Sequence, residues 1–486
     1  MPPPSRRSFL QVASLFGAGA FLAACTPARP DFAGQESETL RRLVLLYTND
    51  EHGWVEPTGE YGGAAGMYGL WQRQEAYDPA GPFLALSGGD SWIGPPISTW
   101  FAGQSMVDIM GAMGYAAAAL GNHDFDFGLD VLRQRQAQAA YPLLSANIRR
   151  RSDGAIPDFL RPYTIRQVNG IRVGLLGLTT LETPWDTPPS HVAELDFVAL
   201  DQALREVVPQ ARAEGAELLV VLAHLCTSTL RTLVPLAVEL GIPILCGAHC
   251  HEEVVERVDG ITIVQSGSFL HNYIRLALLF DTASRQVVEI DASLQPNTGG
   301  RPDADMAARV ASWRAQVPAE LFEPIGYLGT KIGWNTPQMA RLVTTPWLEA
   351  YGLAQAAVFS PRYVQSLPAG EITRAAILGM LPTDNALVDI GLTGAQLIET
   401  IENPRAMYGG VQGGDGVYHL ADGMPLDPQA VYHVLIPQAL YDGGNHFTVN
   451  QYDPLGVITN LNWRDPIADW IANLNTSPSN PLEAHL

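Results

Sequence analysis

Residues that can bind metal ions or transfer protons recur at the ends of short apolar segments. Five such segments are each followed, within a few positions, by a carboxylate, an amide or an imidazole. The side chains concerned are those of Asp50, His52, Asp90, Asn122, His123, His224, His249 and His251. Taken alone, the segment GNHDFD at 121–126 could be a polar turn whose side chains bond their own backbone. The recurrence of the pattern after five segments instead favours one shared site.

The types and spacing of these residues indicate a site for two divalent cations. Carboxylates and neutral imidazoles are metal ligands, and paired metals need a carboxylate that contacts both ions. The spacings Asp-x-His at 50–52 and His-x-His at 249–251 put two side chains on the same side of an extended segment, because the strand repeat is two residues. Asp90 follows Gly88 and Gly89, which allow close approach of the backbone. We therefore predict that Asp90 bridges the two ions.

The apolar segments that carry these residues are predicted to be strands of an α/β domain. Near-continuous runs of Val, Ile and Leu occur at 43–47, 83–86, 173–178, 218–223, 242–245 and 261–264. Stretches at 201–214 and 228–240 have the character of helices between them. Such alternation is typical of a sheet covered on both faces. In these sheets ligands collect beyond the carboxyl ends of the strands, which would bring the polar side chains together.

The predicted organisation is a leader, a tether and two domains. Residues 1–24 form the leader, 25–40 a polar tether, 41–290 the α/β domain, 291–324 a linker with a helix at about 306–316, and 325–475 an α+β domain. The linker is indicated by the sequence SLQPNTGGRPDAD, and the second domain by strands among turns rich in Gly and Pro.

The leader predicts export. Arg6 and Arg7 before a short apolar run resemble a twin-arginine (Tat) signal, and Leu22-Ala23-Ala24-Cys25 resembles a lipobox, in which Cys25 becomes the lipidated first residue. A signal cleaved nearby, with Cys25 unmodified, is the alternative. The run is short and rich in Gly and Ala, unlike a membrane span. We predict a lipoprotein anchored to a membrane on the periplasmic or cell-surface side.

The net charge limits the classes of binding partner, and the cysteine content bears on disulfide bonding. The chain has 486 residues and a formal net charge of −21, which repels phosphate backbones and argues against nucleic acid as a partner. A small anionic substrate stays compatible, because bound metals reverse the sign of the charge locally. Cys226, Cys246 and Cys250 are predicted to be small buried residues, since three cysteines do not suggest a disulfide framework.

The motifs around the predicted ligands resemble those of the calcineurin-like metallophosphoesterases. Their order and spacing are similar to those of the bacterial 5'-nucleotidase family, and the resemblance covers most of residues 41–475. The motifs are Asp50-x-His52, Gly88-Gly89-Asp90, Gly121-Asn122-His123-Asp124, Ala223-His224 and Gly247-x-His249-x-His251. The resemblance implies a four-layer metallophosphoesterase sandwich followed by an α+β substrate-binding domain.

The resemblance also implies a role for each motif. One metal would be held by Asp50, His52, Asp90 and His251, and the other by Asp90, Asn122, His224 and His249, with manganese or zinc as the expected ions. His123 and Asp126 match the family's catalytic pair, in which the carboxylate orients an imidazole beside the leaving group. The implied reaction is hydrolysis of phosphomonoesters, foremost 5'-nucleotides, by a metal-activated water.

The second domain matches the family less closely. Residues 370–401 resemble the C-terminal domain of the 5'-nucleotidases, in which arginines and two aromatic residues hold a nucleotide. Within the loop ALYDGGNHF at 439–447, Ala439 stands where a stacking Phe is expected, and Asn445 where a ribose-binding Asp is expected. The predicted substrate contacts are Arg362, Tyr441, Asn445 and Phe447, with Tyr408 as a further candidate.

Two other functions are compatible with parts of the sequence. The segments GGDSW, SPRY and QGGDG resemble the thiosulfohydrolases of sulfur oxidation, which would release sulfate from a sulfur-carrier protein. His123 stands at a position where the thiosulfohydrolases differ, which favours phosphoester hydrolysis. A non-catalytic surface lipoprotein that binds metal is the third hypothesis. The His123–Asp126 pair argues against it, because a binding module has no need for a leaving-group acid.

Overall fold

The computed structural model describes residue 32, residues 34–414 and residues 416–486. The twin-arginine segment and Cys25 lie outside these described residues, so the predicted signal and lipidation site stay predictions. Within the described residues, no helix has the length and apolar character needed to cross a membrane.

Two six-stranded sheets form the first part of the chain. The first has the order β14 (Gln286–Pro296), β13 (Asn272–Asp281), β1 (Leu40–Thr48), β2 (Phe83–Ser87), β3 (Tyr115–Ala119), β4 (Leu143–Leu144). The second has the order β11 (Glu253–Val258), β12 (Ile261–Ser266), β10 (Ile244–Cys246), β9 (Leu218–His224), β7 (Ile171–Thr179), β6 (Tyr163–Val168). Strands β1 to β4 run parallel to one another, as do β7, β9, β10 and β12. A small pair, β5 (Ile148–Arg150) and β8 (Leu195–Phe197), lies beside them.

The two sheets pack face to face, and helices cover both outer faces. In β1, Leu43, Leu45 and Tyr47 belong to the core between the sheets, whereas Val44 and Leu46 belong to the core beneath the helices. Both faces are buried, which explains why the strand reads as a continuous apolar run rather than an alternating one. The predicted four-layer sandwich is confirmed.

The outer layers consist of helices of ordinary length and two short ones. On the first sheet lie α1 (Gly63–Gln74), α2 (Pro96–Thr99), α3 (Gln104–Ala112), α4 (Gly128–Gln138) and α8 (Ala304–Arg314). On the second sheet lie α6 (Leu200–Ala213) and α7 (Thr227–Leu240), and α5 (Thr183–Asp186) follows β7. The predicted helices at 201–214 and 228–240 are thus present within one residue of their expected bounds.

The second part of the chain has its own sheet and core. Its five strands have the order β19 (Met407–Gly409), β16 (Ala356–Phe359), β22 (Val431–Pro437), β18 (Ala386–Thr393), β23 (Val457–Asn462). Two ribbons, β15 (Pro324–Leu328) with β17 (Gly370–Thr373) and β20 (Val411–Gly414) with β21 (Val417–Leu420), lie outside it. The helices are α9 (Pro337–Ala350), α10 (Arg374–Met380), α11 (Gly394–Ile401), α12 (Gln438–Tyr441) and α13 (Asp465–Leu474). The buried rings of Trp347 and Trp463 contribute to this core.

The predicted linker is more ordered than the sequence suggests. Strand β14 continues to Pro296, so residues 291–296 are paired with β13 rather than free. Helix α8 buries Met306 and Val310 against the first part of the chain. Beyond residue 475, Leu482 is fully buried in the second core. Polar and Gly-rich composition marked these segments as connections, but their few apolar side chains suffice to dock them.

Candidate active site

The predicted metal ligands lie together at the carboxyl ends of the parallel strands of both sheets. They follow β1, β2, β3 and β10 by two to five residues, and His224 is the last residue of β9. The carboxylates of Asp50 and Asp90 and the imidazole of His224 are almost completely inaccessible to solvent. Because the two sheets face each other, their strand ends enclose one small space.

Two groups of ligand atoms result. Asp50, His52 and His251 form one, and Asp90, His224 and His249 form the other, each with its ligand atoms within 4.8 Å of one another. In the first group the Nε2 atoms of His52 and His251 are 3.3 Å apart. In the second, Nε2 of His224 lies 2.9 Å from Oδ2 of Asp90.

Asp90 lies between the two groups. Its Oδ2 atom is 2.9 Å from Nε2 of His224 and 4.0 Å from Nε2 of His52. Its Oδ1 atom accepts a hydrogen bond from the backbone N–H of His123 at 2.8 Å. One carboxylate thus faces both ligand groups, as a bridging ligand requires.

The unpaired polar atoms of this site fit bound cations. Within the described residues, Oδ1 of Asn122 is buried and makes no hydrogen bond, and Nε2 of His224 lies 2.9 Å from Oδ2 of Asp90 without hydrogen-bond geometry. A buried polar atom without a partner is costly, and a metal ion would satisfy both atoms. Nδ1 of His224 lies 2.9 Å from the carbonyl oxygen of Gly88, to which it can donate, and this contact would leave Nε2 with its lone pair for a metal.

The electrostatics of the histidines also suit metal binding. Burial lowers the pKa of His52 and of His249 to about 3, so both imidazoles are neutral at physiological pH. For His224, burial opposes the charged form, but the carboxylate of Asp90 outweighs it and raises the pKa to about 9. A metal cation beside Asp90 would supply the positive charge that the proton on His224 otherwise supplies.

Several ligand residues have an unusual backbone. Asp50, His52, Asp90, His249 and His251 all have φ between 46° and 73°, in the left-handed region. Such residues cost about 1 kcal/mol or more each when they are not glycine, and they concentrate at functional sites. The conformations persist because neighbouring loops hold them: the N–H of Asp50 donates to Gly89 O, and the N–H of His52 donates to Asp90 O, each at 3.0 Å.

Two buried acids that sequence reasoning missed hold the ligand loops together. Glu51 accepts hydrogen bonds from the hydroxyls of Thr48, Ser87 and Ser91, and burial raises its pKa to about 7. Asp124 accepts from the backbone N–H groups of Gly121, Asp90 and Ser91. Both side chains connect the loops after different strands. The sequence alone does not reveal this role, because an acidic side chain next to a metal ligand can equally face solvent.

His123 and Asp126 form the pair expected from the GNHDFD segment. Nδ1 of His123 lies 2.7 Å from Oδ2 of Asp126, whose other oxygen accepts a hydrogen bond from the Thr187 hydroxyl at 2.6 Å. Burial disfavours the charged imidazole, but Asp126 and Asp90 outweigh this effect and raise the pKa of His123 to about 10. The imidazole is therefore protonated at neutral pH and is oriented to donate from Nε2.

The structure corrects the prediction for the cysteines. Cys226 and Cys250 form a disulfide bond, and only Cys246 is a free buried thiol among the described cysteines. The bond connects the start of α7 to the residue between His249 and His251. The odd cysteine count gave no sign of this pair. Its members are 24 positions apart, and α7 and β10 between them return the chain to the end of the neighbouring strand.

A cleft of about 650 Å³ leads to the ligand groups from outside. One wall comes from the metal-ligand loops and from aromatic residues of the first part of the chain. The other comes from segments 331–334 and 361–368 of the second part. The aromatic residues of the first wall are Trp54 and Phe269, with His271 beside them.

Asp186 and Arg362 connect the two walls. Oδ2 of Asp186 is 3.4 Å from a terminal nitrogen of Arg362 and 3.7 Å from Nε2 of His249. The hydroxyl of Tyr363 donates to the carbonyl oxygen of Trp185, and the ring of His446 stacks on that of Trp185. Arg362 therefore lies in the cleft as predicted. Asp186 was missed because it follows the end of β7 by seven residues, beyond the short offset of the other site residues.

The other predicted substrate contacts do not line the cleft. The hydroxyl of Tyr441 donates to the carbonyl oxygen of Asp453, Asn445 donates to the hydroxyl of Ser360, and Phe447 is buried in the second core. None of these three, nor Tyr408, belongs to the described residues that line the cleft. The apolar residues Ala439, Leu440 and Phe447 of this loop are buried, which keeps Asn445 against Ser360 rather than in the cleft.

Comparison with known proteins relates the chain to the 5'-nucleotidases. Residues 334–419 match the family described as 5'-nucleotidase, C-terminal domain. Protein UshA of Yersinia enterocolitica is 26% identical over 492 residues, which cover 87% of this chain and 89% of that protein. These relatives indicate a phosphoesterase hydrolase.

Solved structures share the architecture. A 5'-nucleotidase precursor from Thermus thermophilus superimposes with a TM-score of 0.77 at 22% identity, covering 90% of this chain and 97% of that one. The sulfate thiohydrolase SoxB of Thermus thermophilus gives a TM-score of 0.74 at 19% identity, covering 89% and 94%. At such identities the superpositions establish the fold, which both kinds of enzyme share.

Substitution of Asp90 tests the arrangement of the two ligand groups. We expect Asp90→Asn to lower the content of both metal ions, because one carboxylate faces both groups. The measurement is the metal-to-protein ratio after loading with manganese or zinc and desalting. Asp389→Asn, which removes a buried carboxylate far along the chain, is the control and should retain the wild-type ratio. Retention of about two ions per chain by Asp90→Asn would contradict the bridging assignment.

Proposed function

We propose that this chain, a relative of the bacterial 5'-nucleotidases, is an exported hydrolase that cleaves phosphomonoesters at a site for two divalent metal ions. The observation that carries the proposal is the shared carboxylate of Asp90 between two ligand groups, directly beside the His123–Asp126 pair. Metal ligands next to an oriented proton donor suit ester hydrolysis and are superfluous in a module that only binds.

The residues assigned to the metals divide as the ligand groups do. Asp50, His52 and His251 with Asp90 would hold one ion, and His224, His249 and Asn122 with Asp90 the other. Bound manganese or zinc would supply Lewis-acid activation of the ester and of the attacking water. The chain contributes ligands that burial keeps neutral and a backbone already in the ligating conformation.

His123 is assigned the leaving-group proton. Its Nδ1 is occupied by Asp126, so the proton on Nε2 is the one that can pass to an alkoxide leaving group. Although burial disfavours the charged imidazole, the carboxylate of Asp126 raises the pKa of His123, which favours retention of that proton at neutral pH. Thr187 fixes Asp126, so that the imidazole cannot rotate freely.

Arg362 is assigned to the substrate's charge rather than to its base. It lies in the cleft, and its guanidinium contacts the carboxylate of Asp186. No residue of the loop 439–447, which would carry a base-stacking ring, lines the cleft, so this loop does not hold a nucleobase there. We therefore infer phosphomonoesters, including 5'-nucleotides, as the substrate class.

The first prediction concerns substrate range. We expect the metal-loaded protein to hydrolyse adenosine, guanosine and uridine monophosphates with similar kcat/KM. Ribose 5-phosphate should lose less than about tenfold, since a base stacked on a ring would supply about 1–3 kcal/mol and the loop 439–447 places no ring in the cleft. The measurement is phosphate release under identical metal loading.

A thiosulfonate-modified peptide in the same panel tests the alternative. The thiosulfohydrolase fold is shared, and an enzyme of that type would act on a sulfur-carrier protein. Sulfate release from the peptide, with no phosphate release under either metal, would replace our proposal by that one.

The catalytic pair gives a second prediction. We expect His123→Ala to retain its metals and to lose about 10²–10⁴-fold in kcat, the usual contribution of a positioned acid. Asp126→Asn should lose less, because it disturbs the orientation and the charge but leaves the imidazole. His433→Ala, which removes a histidine whose Nδ1 also faces a carboxylate, Asp389, serves as the control. An unchanged kcat for His123→Ala would contradict its role.

Export is proposed from the leader and supported by the disulfide. Arg6-Arg7 and the lipobox ending at Cys25 favour Tat export and lipid anchoring. The disulfide of Cys226 and Cys250 is typical of proteins in oxidising compartments outside the cytoplasm.

Cell fractionation tests both parts of the export proposal. Arg6-Arg7→Lys-Lys should retain the precursor in the cytoplasm, whereas Arg29→Lys, in the tether, should export normally. Cys25→Ala should release the exported protein from the membrane fraction. Membrane retention of Cys25→Ala would contradict lipid as the sole anchor.

A further inference from the structure

Lys331 is the only lysine in the sequence. All the others among its 29 Lys and Arg residues are arginines. It is exposed and lines the cleft on the wall that the second part of the chain supplies. The metal-ligand loops form the facing wall. The cleft therefore contains a cation that the roles assigned so far do not use.

The backbone fixes the direction of Lys331. Ile332 and Leu367 form an antiparallel bridge with two hydrogen bonds of 3.0 and 2.9 Å, and both side chains are buried in the second core. Neighbours in an extended segment point to opposite faces. With Ile332 in the core, Lys331 faces the cleft, and the N–H of Trp334 donates to the Ser366 hydroxyl and holds the segment from its other end.

No acid of the described chain neutralises this cation. Within the described residues, no carboxylate oxygen lies within 4.0 Å of the Lys331 ammonium. Glu483, beside the preceding residues, accepts hydrogen bonds from Gly329 and Thr330. By contrast, Arg362 on the same wall is tied to Asp186. In a chain with a net charge of −21, an unpaired cation in the cleft is a marked departure from the average surface.

We propose that Lys331 forms a second anion subsite, which binds a further phosphate on the leaving-group side of the substrate. The preferred substrates are then phosphomonoesters that carry a second phosphate, with the reacting group at the metal-ligand loops and the other at Lys331. This inference rests on the proposed function for the reacting group. The volume of about 650 Å³ accommodates a molecule of this size across the cleft.

Chemical modification tests the subsite without any turnover. Reductive methylation of the metal-loaded protein modifies Lys331 as its only lysine, and peptide mass mapping gives the rate. Alkyl bisphosphonates with a chain of several carbons, which are not hydrolysed, should slow this reaction, whereas the matching alkyl monophosphonates should not. The variant Arg257→Lys adds a second lysine on exposed strand β11, outside the cleft, as an internal reference that no probe should protect.

Kinetics test the substrate preference. The ratio of kcat/KM for adenosine 3',5'-bisphosphate over that for adenosine 5'-monophosphate should fall about fivefold in Lys331→Met, the scale of a partly exposed charge pair. Lys331→Arg should restore most of the ratio. The wild-type preference should also decline as the salt concentration rises, since the pair is screened.

The two experiments separate this inference from the proposed function. Protection by bisphosphonates without phosphate release from any ester supports the subsite and overturns the proposed function. Phosphate release with equal methylation rates under both kinds of phosphonate, or with an unchanged ratio in Lys331→Met, overturns the subsite alone.

Discussion

Two carboxylates buried among imidazoles are the constraint on which this site depends. Asp50 and Asp90 are almost fully inaccessible, and within the described residues no arginine or lysine nitrogen lies within 4.0 Å of either. Removing such charges from water costs several kcal/mol each unless a positive charge compensates. Protonated histidines supply part of that charge, because at His224 the carboxylate of Asp90 outweighs burial and raises the pKa to about 9, whereas burial keeps His52 and His249 neutral. Divalent cations satisfy the carboxylates and the neutral imidazoles together, which explains why these residue types occur at one place.

The surrounding fold holds the ligands in conformations that isolated loops would avoid. Left-handed backbone at five ligand residues is tolerated because the strand ends are rigid and their loops bond to one another. Glu51 and Asp124 provide several of the side-chain bonds between these loops. The disulfide of Cys250 restrains the loop of His249 and His251 in the same way. Many of the buried polar contacts thus lie next to the two ligand groups.

The two parts of the chain contribute different groups to the cleft. The first contributes the candidate metal ligands and the His123–Asp126 pair. The second supplies a wall with Arg362 and Lys331 but no stacking ring from its loop 439–447. Structures with nearly equal similarity to this chain come from both a 5'-nucleotidase and a sulfate thiohydrolase, so the shared architecture does not select the leaving group. In our proposal, the side chains of the second wall make that selection.

Apolar runs in the sequence indicated β1, β2, β7, β9, β10 and β12, and residue types at their ends indicated which side chains converge, whereas the four-layer order followed from the family resemblance. Continuous apolar runs indicate strands that are buried on both faces, and parallel strands bring the residues that follow them to one edge of the sheet. Asp90 and His224 could therefore be placed at one site from the sequence. The sequence failed where position depends on long-range packing. Phe447 and Tyr441 turn into the second core because burial of apolar surface outweighs their use in the cleft, and the Cys226–Cys250 pair forms because a neighbouring strand returns the chain to the same place. Lys331 and Asp186 reach the cleft through contacts between distant segments, which no local pattern encodes. Local periodicity shows on which face of a strand or helix a residue lies. Which groups that face contacts depends on the tertiary structure.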